Sequence, residues 1–305
     1  MPILCALVGA TGVGKTNLSL ALAQEFHAEI ISMDSRQIYR GFCIGTAQPT
    51  EGELKKVKHH LVDFLSPTEN FSVGEFMRNV KELLAKNPTT PYILVGGTGM
   101  YLQALTEGIA EIPQVSSEVR ETAEKFLQEN GILALYEKVK EIDSESAMKI
   151  LPQDKQRLLR AYEVTLQTGR KFSEVRKERC GGIGKIPTFW LNRSREILYK
   201  RIDERVQKMV ELGWKNEVEN LVATVPENAP AWQSLGYREW VECLRGKISE
   251  AEVIACVQQG TRHYAKRQLT WFRHQTESSE INLDAGFENC FATICDSFNS
   301  ICAGN

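Results

Sequence analysis

The chain has 305 residues, 42% of them hydrophobic and 25% charged, with a net charge of −2, and it reads as an ordinary soluble globular protein with room for one large domain or two moderate ones. No window approaches 18 uninterrupted apolar residues, and the opening MPILCALVGA runs into a motif rather than a signal-peptide cleavage site, so no membrane association and a cytoplasmic location are expected. The eight cysteines include no Cys-x-x-Cys pair, and His59, His60, His263 and His274 complete no recognisable ligand set, so reduced thiols without a zinc site are expected.

Residues 3–8, ILCALV, have the length and composition of a buried strand, and residues 18–26, LSLALAQEF, have helical spacing. Between them stands Gly9-Ala10-Thr11-Gly12-Val13-Gly14-Lys15-Thr16, a P-loop in its strand–loop–helix setting. Such a loop turns backbone N–H groups toward an anion, and the helix N-terminus adds partial positive charge. Lys15 supplies a full charge, and Thr16 is the candidate magnesium ligand. The loop holds a diphosphate either for phosphoryl transfer or so that the whole diphosphate departs from carbon; the motif suits both.

EIISM, residues 29–33, predicts a second strand that delivers Asp34 to the carboxyl edge of a sheet, where ligands of open α/β folds bind. Asp34 is a candidate base, with a turn or cap aspartate as the structural alternative. A looped stretch to Pro67, a helix over 72–87 and a third strand over 91–97 follow. The turn Gly96-Gly97-Thr98-Gly99 then brings a hydroxyl to the same edge or caps a helix over 99–107. The order β-α-β-loop-α-β predicts a parallel sheet built from crossovers.

Composition shifts at IPQVSS (112–117) and RCGGIGKIP (179–187) bracket helical patterns over 118–128, 132–141 and 154–168 with no strand. The fold expected is therefore α/β, a P-loop NTPase-like parallel sheet flanked by helices (1–111 plus 188–305), with an all-helical insertion (112–187). TFWLN, residues 188–192, returns the chain to the sheet, and helices complete the C-terminus. Residues 155–205 hold 14 Lys and Arg against 6 Asp and Glu, a basic segment in an acidic chain that is either a polyanion site or a solvated face. In RIDERVQKMVELG an apolar stripe of Leu198, Ile202, Val206 and Met209 runs beside Arg201, Arg205 and Lys208. The last long helix sets Ile254, Val257, Tyr264 and Trp271 on one face and Arg262, Lys266 and Arg273 on the other, with Trp271 and Phe272 read as core.

DSRQIYRGFCIGTAQPT (34–50), HHLVDFLSPTENFSV (59–73), VGGTGMYLQAL (95–105), QRLLRAYEV (156–164), RIDERVQKMVELG (201–213), SLGYREW (234–240) and TRHYAKRQLTWFR (261–273) resemble, in order and over nearly the whole chain, the signature blocks of bacterial tRNA dimethylallyltransferases. That resemblance implies transfer of a dimethylallyl group from dimethylallyl diphosphate to the exocyclic amine of the adenine beside the tRNA anticodon, with Mg²⁺ as cofactor and a monomeric enzyme. Asp34 then serves as base, Thr98 lies where the substrates meet, and Arg205 or Arg201 binds diphosphate. Asp34, Ser35, Arg36, Gln37, Thr98, Arg120, Gln156, Arg157, Leu158, Leu159 and Arg160 are the implied tRNA contacts. The alternative function is a P-loop kinase acting on a nucleoside or another small molecule, motivated by the loop and Asp34 alone.

Overall fold

The computed structural model describes residues 2–110, 112 and 115–303, with backbone alone over 299–303. In chain order, β1 (Ile3–Gly9), α1 (Lys15–Glu25), β2 (Glu29–Met33), α2 (Glu51–Lys56), β3 (His59–His60), α3 (Val73–Lys86), β4 (Tyr92–Gly96) and α4 (Gly99–Glu107) come first. There follow β5 (Ile109–Ala110), α5 (Ser117–Ile142), α6 (Ser144–Lys149), α7 (Lys155–Thr168), α8 (Phe172–Val175) and β6 (Arg179–Cys180). The chain closes with β7 (Thr188–Asn192), α9 (Arg195–Glu211), α10 (Trp214–Val222), α11 (Tyr237–Leu244), α12 (Glu250–Gln275), β8 (Ser279–Asn282) and α13 (Phe287–Ala303).

Two compact units result, Met1–Gln103 with Lys185–Asn305, and Ala104–Gly184. The first is built on a six-stranded sheet in the order β3-β2-β4-β1-β7-β8, with every pairing parallel. Leu7, Ile30, Ile93 and Leu191 of its strands are buried against Leu18 and Leu22 of α1, Leu198 and Ile202 of α9, and Ile294 of α13. Strands covered on both faces are near-continuous apolar runs, the pattern shown by ILCALVG and YILVG. β1 has β4 on one side and β7 on the other, whereas the chain leaves β1 for β2 beyond β4. This reversal of strand order opens the sheet edge immediately after β1, where the P-loop lies. A second apolar cluster in the same unit gathers Phe42, Trp214, Trp232, Tyr237 and Trp240.

Three elements of this unit depart from the expectation. β8 stands where only helices were expected, because its single buried residue, Ile281, gives an edge strand almost no apolar signal. β3 has only two residues, too few for a period. α2 has no buried residue, and its Thr50 and Glu53 form a capping box within the stretch expected to be a loop.

The second unit has its own core of Ala123, Leu135, Val139, Ala147, Leu158, Ala161 and Tyr162. α5 is two helical segments joined at Gly131, whose φ of 81° and ψ of 170° break the ladder between the two expected helices. A ribbon of β5 and β6, pairing Ile109 with Cys180 and Ala110 with Arg179, adds a strand pair where helices alone were expected. The ribbon lies within this unit, which spans Ala104–Gly184 beside the expected 112–187. The expected break between 111 and 112 falls at Glu111, outside the described residues, as do Pro113 and Gln114 of the IPQVSS segment.

Candidate active site

β1, β4 and β2 lie side by side and end together. The P-loop, the Gly97-Thr98 turn and Asp34 follow their last residues in turn. Gly96 pairs with Met33, where a Cβ on Gly96 would stand 2.2 Å from the Met33 carbonyl oxygen. The next turn is pinned at the same point, since the Thr98 amide donates to Met33 O at 3.2 Å. Asp34 and Thr98 are therefore one residue and no residues, respectively, removed from a shared hydrogen bond.

The P-loop is held by side chains from several elements. Lys15 Nζ donates to the carbonyl oxygens of Gly9 and Ala10 at 2.8 and 2.9 Å. Arg201 Nε donates to Gly12 O at 2.9 Å, and Arg193 Nε donates to Val13 O at 2.8 Å. Arg205 Nη1 reaches Thr11 Oγ1 at 3.2 Å, and the Thr11 amide donates to Gln268 Oε1 at 2.9 Å. The carbonyls at 9, 10, 12 and 13 are thus turned to cations. Gly14, at φ 113°, starts α1 without a capping side chain, which leaves first-turn amides available to an anion.

Burial of these cations, with their mutual repulsion second, weakens their hold on their protons. Burial, and secondly the Arg205 charge, lower the Lys15 ammonium to about 7 against the opposing pull of Asp34. Burial also lowers Arg205, with Asp34 opposing and Arg201 adding to the shift. Tyr264 is pushed up to about 12 by burial and then by the Asp34 charge, and Tyr101 is raised further by the same two causes. Asp34 is consequently a negative group within electrostatic reach of all four of Lys15, Arg205, Tyr101 and Tyr264.

Asp34 Oδ1 accepts from the amides of Arg36 and Gln37 at 2.8 and 3.3 Å, an Asx turn that fixes the carboxylate. The turn reading of Asp34 is thus realised through Oδ1. Ser35 and Arg36 line a cavity with Tyr39, Phe71 and Gln233. Gln37 is turned elsewhere: its amide accepts from Ser32 Oγ and donates to the carbonyls of Thr46 and Ala47, so it organises the 37–47 loop. Thr98 Oγ1 is buried without a hydrogen bond of acceptable geometry, although the Tyr264 hydroxyl lies close enough to interact with it. The stripe on α9 left Arg201 and Arg205 equivalent; the structure exposes Arg201 and desolvates the guanidinium of the half-buried Arg205.

In the second unit Arg120 is exposed at the start of α5, and Gln156 and Arg157 are exposed at the start of α7. Arg157 pairs with Asp154 at 3.4 Å, and the half-buried Arg160 lies 3.9 Å from Glu163. Leu158 is fully buried in the helical core and Leu159 is half-buried, so the Leu158 side chain packs the unit instead of offering a tRNA contact.

Two side chains at the P-loop were not singled out from sequence. Arg193, which follows β7, also bonds Leu283 O and Asp284 at 3.1 and 3.0 Å. Gln268 lies on the buried seam of α12 between Ala265 and Phe272. A lone polar residue on an apolar seam was its available signal.

The IPP transferase family model matches residues 37–275. This chain belongs to that family. A tRNA dimethylallyltransferase of Fusobacterium nucleatum subsp. nucleatum is 40% identical over 279 residues, covering 91% of each chain. The tRNA isopentenylpyrophosphate transferase of Staphylococcus epidermidis superposes with a TM-score of 0.70 at 33% identity, covering 98% of this chain and 99% of that one. A eukaryotic dimethylallyltransferase solved acting on tRNA gives a TM-score of 0.79 at 26% identity, over 92% of this chain and 73% of that one. The family extends across both units of the present chain.

Proposed function

We propose that this IPP transferase moves a dimethylallyl group from dimethylallyl diphosphate to the exocyclic N6 amine of the adenine next to the tRNA anticodon, position 37, and releases diphosphate. The observation that carries the reading is the meeting of a cation-lined diphosphate cradle with a fixed carboxylate, Asp34, on one sheet edge. The high identity to tRNA dimethylallyltransferases over nine-tenths of the chain supports it.

Breaking the allylic carbon–oxygen bond leaves positive charge on the five-carbon unit and places negative charge on the departing diphosphate. Lys15, Arg205 and the first-turn amides of α1 stabilise that departing charge, an electrostatic contribution that is commonly the largest in catalysis. The adenine amine attacks the carbon, and its proton passes to the Asp34 oxygen that the Asx turn leaves free. Thr98, its buried hydroxyl beside that of Tyr264, lies between the cradle and Asp34 and orients the reacting groups. Thr16, exposed in the first turn of α1 beside Lys15, would hold a Mg²⁺ through its hydroxyl. When bound, that ion adds charge neutralisation on the leaving group.

Ser35 and Arg36 bind the RNA around the flipped adenine, and Arg120, Gln156, Arg157 and Arg160 of the helical unit hold its backbone. An unpaired anticodon loop lowers the cost of extruding the base. The enzyme acts as a cytoplasmic monomer. Among the described residues no helix is long and apolar enough to cross a membrane.

The test is transfer of radiolabel from dimethylallyl diphosphate, with Mg²⁺, into unmodified tRNA carrying adenine beside its anticodon. Label in the RNA at that adenine is expected. No label, with ATP consumed and a phosphorylated small molecule formed, would return the P-loop to a kinase.

A further inference from the structure

We infer that Gln268 is a positioning residue that locks the diphosphate cradle to the Thr98 turn, so that the two substrates are held in register; the inference rests on the transferase reading above. Gln268 is 6% exposed, and the two ends of its side chain serve different loops. Oε1 accepts from the Thr11 amide at 2.9 Å, and Nε2 donates to Gly97 O at 3.0 Å. A flipped amide would set N–H against N–H and oxygen against oxygen, so only one orientation satisfies both partners.

The fit is close on every side. A Cβ on Gly97 would lie 2.0 Å from Gln268 Nε2 and 3.3 Å from Gly9 O, so glycine is required for the amide to reach the turn. Tyr264, Gln268 and Trp271, one helical turn apart along α12, meet Thr98, Gly97 and Gly99 respectively. The Thr11 amide that Gln268 takes belongs to the residue whose hydroxyl meets Arg205. One amide thus ties the arginine-bearing side of the cradle to the threonine turn, and through the Thr98 amide to the residue preceding Asp34. Neither end of Gln268 touches a reacting atom in this arrangement. Its effect passes through Thr11 and Thr98.

Misplacing a reacting group by about 1 Å can lower turnover on the order of 10²-fold. Gln268→Met keeps the volume but leaves both backbone partners unpaired, and Gln268→Glu keeps an acceptor for Thr11 while setting a carboxylate against Gly97 O. Both are assayed with labelled dimethylallyl diphosphate and tRNA, with thermal unfolding measured alongside. The expected result is a fall in kcat of about 10²-fold in each folded variant, with both KM values within about threefold of wild type. A kcat within threefold of wild type, or a loss carried entirely by KM, overturns the inference while leaving the transferase reading intact. Failure of both variants to fold assigns Gln268 to stability alone and also overturns it. A wild-type chain that transfers no label overturns the transferase reading, and the inference falls with it.

Discussion

Lys15 Nζ lies 2.8 Å from the Gly9 carbonyl oxygen and so turns back on its own loop, as a buried ammonium with an affinity for its proton reduced to about 7. A diphosphate supplies the missing counter-charge and raises that value on binding. The sign follows directly: below 7 the lysine is charged with or without ligand, whereas above 7 binding must draw in a proton. Affinity should therefore weaken as pH rises above 7, by up to about tenfold per pH unit, until the bound-state value is reached. Calorimetry of inorganic diphosphate binding near pH 8, in buffers of different ionisation enthalpy, should register uptake of about one proton that disappears in Lys15→Met. Equal heats in the two buffers would show that the lysine is already charged in the free protein.

Asp34→Asn separates the turn from the chemistry. Asparagine can still accept from the Arg36 and Gln37 amides, so fold and tRNA affinity should be retained. Loss of the proton acceptor should lower kcat on the order of 10²–10⁴-fold. Single-turnover transfer of label, with tRNA binding measured by filter retention, distinguishes the two quantities. Full activity in the asparagine variant would remove Asp34 from the base role.

Arg205 and Arg201 should differ although both meet the loop. Arg205→Ala removes a desolvated charge beside Thr11 and Lys15, and the expected loss in kcat/KM is on the order of 10²–10³-fold. Arg201 is exposed and bonded to Gly12 O through Nε, so its replacement by alanine should cost no more than about tenfold. Steady-state kinetics on the two variants decide the order. The reverse ranking would make the solvent-side arginine the diphosphate ligand.

Asp143 is the structural counterpart in the helical unit. Its buried carboxylate accepts from the amide and hydroxyl of Ser146 and from the amide and hydroxyl of Ser173. Burial alone would raise its proton affinity, but these four bonds outweigh it and lower the value. The carboxylate therefore stabilises the unit above the ordinary aspartate range, and that contribution is lost as pH falls through the lower folded value. Asp143→Ala should destabilise this unit by about 3 kcal/mol, because four buried donors lose their acceptor. Urea unfolding at neutral pH measures this; an unchanged midpoint would show that water replaces the carboxylate.

Much of the architecture is legible in short stretches of sequence. ILCALVG, EIISM, YILVG and TFWLN announce buried parallel strands by apolar runs alone, and the P-loop between β1 and α1 is recognised without reference to the remainder of the chain. Gly131 likewise divides the expected pair of helices where its backbone leaves the helical region. β3 and β8 escaped because two residues, or one buried isoleucine, form no period. Gln37 and Leu158 lie inside segments that read as RNA contacts, yet one is bound to its own loop and the other fills a core. A linear motif carries residue type and spacing, but not the direction in which each side chain points.

The eight residues from Gly9 to Thr16 specify their cradle locally, since glycine backbone freedom, the following helix and Lys15 are all contained within it. The clamps around that cradle arise from folding at long range. Arg193 meets Val13 across 180 positions, Arg205 meets Thr11 across 194, and Gln268 meets Thr11 across 257. These partnerships exist because the parallel order of β2, β4, β1 and β7 brings distant loops to one edge and packs α9 and α12 against it. Hydrophobic periodicity decides which face of a helix is buried; which polar group on that face finds a backbone amide depends on packing across the sheet edge.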